Sequence, residues 1–368
     1  MSVTKDKERG SWYFTGYYRD AADVRRHYCR RGFQTKREAK EAEHAFLVGV
    51  KLASPALTLD DLFEQYVVDF HTMGLKEATL INTENYYHSL IQKDLGKVKL
   101  SKLTAPVIIR WVSGISAREY RGKPYAVGTI NKARKVLSKL LSYAVQLGYL
   151  QFNPCTNVPA YKRPEAIEET PSNFWEPRTY DRFMEFVDDQ HWRDVFAFLW
   201  GTGVREGELF ALRWSDVDLG AGTVRINKSL TYKTKSKGWA LTSPKTANSI
   251  RTIDLQDSLL NALQDRYARE SCKDGFNSDY FVFGDLTPIS APALRYQLNK
   301  YIKRSGVKHI TPHGFRHSHA SYLIRSGKLD DQLIADRLGH TVAVLRKTYA
   351  HIYDEARADL KSILNEIY

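Results

Sequence analysis

The spacing of apolar and polar residues changes twice along the chain, and the changes divide it. Residues Ser11–Tyr18 carry Trp12, Tyr13, Phe14, Tyr17 and Tyr18, the aromatic-rich composition of a β-strand. Asp20–Asp23 is a polar turn, and Val24–Phe33 reads as a second and a third strand. From Thr35 the pattern becomes helical, with Thr35 as N-cap and Glu38 three residues on. Residues 1–50 are therefore expected to form a small sheet packed on one helix.

After a short connector, Lys51–Ala56, the period is that of helices throughout. Thr58 and Asp61 form a capping box that opens a helix with Leu62, Phe63, Tyr66, Val67 and Phe70 on one stripe. A second helix is expected from near Thr79, carrying Tyr86, Leu90 and Ile91, and a third over Ala105–Val112. A fourth spans Thr129–Gln146, with Ile130, Ala133, Val136, Leu137, Leu140, Leu141 and Ala144 in register and Gly148 as its stop. This predicts an all-α domain over residues 57–159. Residues 160–175 read as an exposed linker, since the stretch from Ala160 to Pro177 holds three prolines among charged residues.

The last domain, residues 176–368, opens with helices over Glu176–Asp189 and Trp192–Thr202. Strands follow at Thr223–Asn227, Trp239–Thr242 and Ser249–Leu255, and helices return from Ser258 to the end. The final one, Asp354–Ile367, has Leu360, Ile363, Leu364 and Ile367 available to pack at home or against a neighbouring subunit. The expected fold class is mainly α with a small antiparallel sheet in the last domain (α+β), an α-helical middle domain, and an N-terminal three-stranded sheet plus helix.

Charge narrows the function. Fifty-five Lys and Arg against 42 Asp and Glu leave a net +13, which points to a polyanionic partner, either nucleic acid or an anionic membrane surface. No apolar run approaches the roughly 18–20 residues that span a bilayer, and MSVTKDKERG lacks the apolar core of a signal peptide. These features favour nucleic acid over membrane and lead us to expect a soluble intracellular protein. Between Val24 and Lys40 there are seven Lys or Arg and one acid. Arg25, Arg26, Arg30 and Arg31, interleaved with aromatics, are candidates for DNA contact; a solvated basic face is the alternative. Among the exposed positions of the fourth helix, Lys132, Arg134, Lys135 and Lys139, we single out Lys132 and Lys135 as further DNA-contact candidates, with a solvated face equally open. Cys29, Cys155 and Cys272 are far apart and odd in number, so no disulfide framework and no cysteine zinc site is expected.

Four stretches of the last domain carry chemistry. Thr202-Gly-Val-Arg-Glu-Gly-Glu-Leu places Arg205 and Glu208 three apart, on one face if Gly203 ends one helix and Arg205 starts the next. Ser243-Pro-Lys-Thr puts Lys245 in a turn between two strands. Pro312-His-Gly-Phe-Arg-His supplies His313 and Arg316. Leu338-Gly-His340 is followed nine residues later by Tyr349, with Gly339 expected to end a helix, His340 to occupy the turn and Tyr349 to fall in the next helix. Singly, each has a plain structural reading: a surface arginine, a helix ion pair, a solvated lysine, a core tyrosine. His313 and His317 are four apart, but no acidic or cysteine partner is spaced to complete a metal site, so no metal is expected.

Together the stretches resemble the tyrosine recombinases, in particular the integrases of phages and integrative elements: T-G-x-R-x-x-E-L, a lysine on a β-turn, H-x-x-R, and L-G-H nine residues before tyrosine. The resemblance is sharp from about Glu176 onward, moderate over the helical domain, and rests on pattern alone at the N-terminus. It implies an N-terminal arm-type DNA-binding domain, a core-binding domain and a catalytic domain that together clamp DNA and act as a homotetramer. It implies a site-specific recombinase with Tyr349 as nucleophile and Arg205, Lys245, His313, Arg316 and His340 completing the catalytic set. Arg205, Arg316 and His340 bind the phosphate, His313 serves as base, Lys245 as acid, and Glu208 orients the cations. The product is a 3′-phosphotyrosyl link that integrates and excises a prophage or mobile element, without cofactor, ATP or metal. Double-stranded attachment sites are the implied substrate; an excisionase and a host DNA-bending protein stay open as partners. A non-catalytic DNA-binding regulator, a metal-dependent transposase and a type IB topoisomerase are the alternatives.

Overall fold

The computed structural model describes residues 3–6, 10–19, 25–51, 57–70, 74, 76–163, 173–232, 234, 238–244, 247–350 and 352–353. Aromatic strand residues and an amphipathic helix build its first part. Strands β1 (Val3–Lys5), β2 (Trp12–Arg19) and β3 (Arg25–Phe33) form an antiparallel sheet in the order β1-β2-β3. The stretch expected to hold two strands is one unbroken strand, and the third lies at the very start of the described chain. A three-residue strand with one apolar residue leaves no periodicity to read. Helix α1 (Lys36–Lys51) covers one face, where Phe14 and Ala39 are fully buried and Phe46 meets Tyr28 at 4.8 Å between ring centroids.

The helical part starts at the expected capping box. Thr58 Oγ1 accepts from the Asp61 N–H at 3.3 Å, and the Asp61 carboxylate accepts from the Thr58 N–H at 2.8 Å, ahead of α2 (Leu59–Asp69). Helix α3 (Glu77–Tyr86) runs through a π-turn, Tyr87–Ile91, into the short α4 (Gln92–Leu95). The extra residue in that turn seats Tyr87 flat on Phe63, 3.7 Å between centroids, with its hydroxyl donating to Asp60. Helix α5 (Ala105–Ser116) is a turn longer than expected. A hairpin follows that the pattern did not predict, β4 (Glu119–Tyr120) and β5 (Lys123–Pro124), turning through Arg121 and Gly122 at φ 56° and 74°. Two-residue strands are too short to show alternation. Helix α6 (Val127–Gln146) buries the predicted stripe from Ile130 to Ala144, where each fully buried leucine contributes about 2 kcal/mol.

Residue contacts divide the chain into two units, residues 1–168 and 169–368. The second unit contains α7 (Pro177–Glu185), α8 (Gln190–Thr202) and α9 (Glu206–Ala211). Strands β6 (Val217–Asp218), β7 (Thr223–Ile226), β8 (Ser229–Thr231), β9 (Ala240–Thr242) and β10 (Arg251–Asp254) follow, then α10 (Asp257–Ser271), α11 (Ala291–Ser305), α12 (Pro312–Ser326), α13 (Asp331–Leu338) and α14 (Val342–Thr348). Strands β10, β7 and β6 make one antiparallel sheet in that order; β8 and β9 pair separately. The main core includes Phe183, Phe196, Phe198 and Phe315, all fully buried. A smaller cluster of Ala320, Ile334, Ala335, Leu338, Leu345, Tyr349 and Ile352 joins α12, α13 and α14. Among the described residues no helix is long and apolar enough to cross a membrane.

Candidate active site

The end of α8 sets the first element of the site. Gly203 caps that helix at φ 63°, and a Cβ there would meet His319 Cδ2 at 2.7 Å, so both backbone and space demand glycine. Two residues later Arg205 is the N-cap of α9. The Glu208 carboxylate, one turn in, accepts from the Arg205 backbone N–H at 2.9 Å and from its Nη1 at 2.7 Å. The expected shared face and the plain helix ion pair are thus the same contact. Arg205 also reaches across with Nη2 to the Gly339 carbonyl at 3.2 Å, and its side chain stays one-third exposed.

Arg316 ties the elements together. It projects from α12 with 1% of its surface exposed. Its Nη1 donates to the Gly203 carbonyl at 2.8 Å, and Nη2 donates to the Leu338 carbonyl at 2.5 Å and to His340 Nε2 at 2.8 Å. Because an arginine can only donate, His340 Nε2 must carry the lone pair, and the imidazole is the neutral tautomer protonated on Nδ1. Burial, with Arg316, Arg205, Arg251 and His313 nearby, holds His340 down at about 3. His340 Nδ1 and Arg316 Nε are both buried and have no partner among the described residues. Two buried donors with no partner, near the one-third-exposed Arg205, are groups whose unmet hydrogen bonds an anion can satisfy.

Tyr349 sits at that site, but at the end of a helix rather than inside it: it caps α14 with φ −111° and ψ 23°. The ring is 2% exposed, packed in the small cluster of α12, α13 and α14. Burial pushes the phenol up to about 12, while Arg316 and Arg205 pull against it without prevailing. The ring of His317 stands edge-on to Tyr349 at 5.6 Å and to His313 at 4.7 Å, so it lies between the two. The His313–His317 pair is a ring contact, and no group of three or more potential metal ligands occurs among the described residues. His313 is open to solvent on one side. Desolvation of the rest of its ring, then His317, Arg316 and Arg205, bring it down to about 4, so it is a neutral acceptor at pH 7.

Three residues of this constellation escaped the sequence reading. Arg251, buried at the start of β10, donates Nη1 and Nη2 to the two Glu208 oxygens at 3.2 and 2.8 Å. Burial works to raise the Glu208 carboxyl, but the Arg251 hydrogen bonds and charge and the Arg205 N–H and charge override it and hold it at about 2. A signal existed: in β10 Arg251 and Ile253 share the buried face, and an arginine on the buried side of an alternating strand needs a buried partner. The other two form a layer behind Gly203. His319 uses Nδ1 toward the Trp200 carbonyl at 2.8 Å and accepts at Nε2 from Arg337 Nε at 3.1 Å, while Arg337 Nη2 donates to the Gly201 carbonyl.

That layer has a pH signature. Burial first, and the Arg337 charge second, hold His319 at about 3, against 6.5 for an ordinary histidine. The unfolded chain therefore binds the proton more readily, so stability is full above about 6.5 and is lost as pH falls toward 3. The melting temperature of the second unit is expected to fall from pH 7 to pH 4. A His319→Gln variant should be less stable at pH 7 and lose less over that range. An equal slope for both proteins would exclude this histidine as the titrating group.

The remaining candidates are placed unevenly. Lys245 lies outside the described residues. The described elements on its two sides are β9, ending at Thr242, and a 3-10 turn at Ala247–Ser249 ahead of β10; β9 and β10 belong to different sheets. On β3 the four arginines do not share a face. Arg25 and Arg31 lie with Tyr17 and Tyr13 on the open side, at 4.1 and 5.3 Å from ring centroid to guanidinium; Arg26 and Arg30 alternate to the α1 side, where Arg30 covers Phe46. On α6, Lys132 and Lys135 are exposed, while Arg134 is committed to the Val158 carbonyl and Lys139 to the Tyr66 ring. The middle of the linker, residues 164–172, and the expected last helix, Asp354–Ile367, lie outside the described residues.

Known proteins match the chain along most of its length. The phage integrase family pattern matches residues 173–356, an arm DNA-binding domain pattern residues 2–49, and the N-terminal SAM-like domain of phage integrases residues 58–116. The tyrosine recombinase XerC-like protein of Caldanaerobacter subterraneus subsp. tengcongensis is 27% identical over 371 residues, covering 91% of this chain and 90% of its own. The ICEBs1 integrase of Bacillus subtilis is 26% identical over 354 residues, covering 92% and 87%. Among solved structures, the Tn1549 transposon integrase in complex with a circular intermediate DNA has a TM-score of 0.69 at 21% identity, over 83% of this chain and 99% of that one. A lambda integrase dimer bound to a COC′ core site has a TM-score of 0.58 at 18% identity, over 94% of each chain.

Proposed function

The chain belongs to the phage integrase family of tyrosine recombinases, and from that membership we propose that it integrates and excises a mobile element or prophage by cutting and rejoining DNA through a 3′-phosphotyrosyl intermediate. The observation that carries this reading is the pair of orphaned buried donors, Arg316 Nε and His340 Nδ1, beside a buried tyrosine. In the proposed reaction the scissile phosphate fills that gap. Arg205, Arg316 and His340 donate to its non-bridging oxygens and stabilise the charge that spreads over them in the transition state. Tyr349 Oη attacks phosphorus, its proton passes to His313, and the bond to the 5′-oxygen breaks as that oxygen takes a proton from Lys245. The phosphodiester's negative charge favours the protonated form of His313, against the burial and the neighbouring cations that hold it at about 4. The phosphotyrosyl bond keeps the bond energy, so a partner strand's 5′-hydroxyl reverses the step with no ATP or metal.

The same reading divides the chain into an arm-type domain (1–50), a core-binding domain (57–159), a linker (160–175) and a catalytic domain (176–368). It gives the protein a homotetrameric state on two duplexes, and it assigns Arg25, Arg26, Arg30, Arg31, Lys132 and Lys135, all exposed, to DNA contact. Incubating the protein with its attachment-site duplexes in excess EDTA tests the proposal. Joining of two duplexes supports it. Relaxation of supercoils without joining would mark a type IB topoisomerase, binding without cleavage a regulator, and activity abolished by EDTA a metal-dependent transposase.

A further inference from the structure

We infer that Arg251 is a positioning residue of the strand-cleavage reaction, one that never touches the phosphate and acts by holding Glu208 and the turn that presents His340. The inference rests on the recombinase reading above. Its basis is that one buried side chain joins three parts of the site. Toward α9, Arg251 grips both oxygens of Glu208, the carboxylate that orients Arg205. Each Glu208 oxygen thereby accepts from both arginines: Oε1 from Arg205 Nη1 and Arg251 Nη1, Oε2 from the Arg205 backbone N–H and Arg251 Nη2. Without Arg251 the carboxylate would be held on one side only and could rotate, taking Arg205 with it.

Toward α13, Arg251 Nε donates to the Arg337 carbonyl at 2.7 Å. The left-handed Gly339 follows, and a Cβ there would come within 3.0 Å of Arg251 Nη1. The arginine therefore fills the space under the turn that aims His340. Along its own chain, Nη1 donates to the Ser249 carbonyl at 3.2 Å, at the end of the 3-10 turn Ala247–Ser249.

Stability alone does not account for this arrangement. Arg251 is 9% exposed and lies close enough to Arg316 to add to the forces disfavouring that guanidinium's charge. Replacing a buried ion pair by apolar groups of like volume is often neutral or stabilising. What an apolar residue would lose is orientation, and misplacing a catalytic group by about 1 Å costs on the order of 100-fold in rate.

The test is single-turnover cleavage of a nicked attachment-site duplex by the full chain, with DNA affinity and melting temperature measured on the same preparations. Wild-type protein must form the covalent adduct and Tyr349→Phe must not; failure there sinks the recombinase reading itself. Given the adduct, Arg251→Lys is expected to bind DNA as the wild type does and to cleave about 100-fold more slowly at saturating DNA. Its loss should not multiply with that of Glu208→Gln in the Glu208→Gln/Arg251→Lys protein, because both act through one contact. A wild-type rate in folded Arg251→Lys, or losses that multiply, overturns the inference. If Arg251→Lys does not fold, Arg251→Gln, which keeps a donor toward Glu208 without the charge, decides: folded and slow with wild-type DNA affinity supports a positioning role, folded and fast excludes it.

Discussion

Tyr349→Phe is expected to abolish covalent attachment to DNA, a loss of about 10⁴-fold or more, while DNA binding survives. The substitution removes one oxygen and keeps the ring. The packing against Leu338, Leu345 and His317 is retained, so the melting temperature should barely move. What disappears is the hydroxyl proposed to form the phosphate ester. The measurement is a denaturing gel of protein incubated with a duplex nicked just beyond the scissile phosphate, from which the released strand diffuses away and traps the adduct. A band of the same intensity with Tyr349→Phe would move the nucleophile elsewhere. Burial pushes the phenol up to about 12, so attack at neutral pH needs a base for its proton, the role proposed for His313.

Arg316→Ala should damage both fold and chemistry. The guanidinium satisfies the carbonyls of Gly203 and Leu338 and the Nε2 of His340, three acceptors on two other elements. Each buried acceptor left without a donor costs about 1–3 kcal/mol. Relief of repulsion from Arg205 and Arg251 and entry of water offset part of that, so a net loss of about 3 kcal/mol is expected in urea unfolding followed by tryptophan fluorescence. Cleavage should fall by at least about 10²–10³-fold, the usual consequence of removing a donor to a developing oxyanion. Arg316→Lys separates the two effects. It keeps the charge but cannot span three acceptors, so it should recover part of the stability and little of the rate. An Arg316→Ala protein as stable as the wild type would show that these contacts do not hold in solution.

Much of this was legible in the residues. Thr58 with Asp61, the stripe from Ile130 to Ala144, and the glycines at 203 and 339 are local signals, each set by interactions within one turn of chain, and the structure reproduces them. Short elements were not legible. β1, the β4–β5 hairpin, β6 and β8 hold two or three residues each, too few for alternation to appear. Their existence depends on partners distant in sequence. The arginines of β3 show a different limit: composition marks the strand as basic, but the pleat sends Arg25 and Arg31 to one face and Arg26 and Arg30 to the other.

The same division runs through the site. The sequence by itself determined which groups are candidates for phosphoryl transfer and in what order they occur, because spacing such as His313–Arg316 and His340–Tyr349 is a property of the chain. It also placed the helix stops at Gly203 and Gly339. Only the tertiary structure decided that Arg205, Arg316, His340 and Tyr349 converge, that Tyr349 is withdrawn from water at a helix end, and that Arg251, His319 and Arg337 hold the set in place. The reason is physical. Catalytic identity is carried by the functional groups themselves. Orientation is carried by buried hydrogen bonds between residues as far apart as Arg205 and Gly339, or Arg251 and Glu208, which no local pattern encodes.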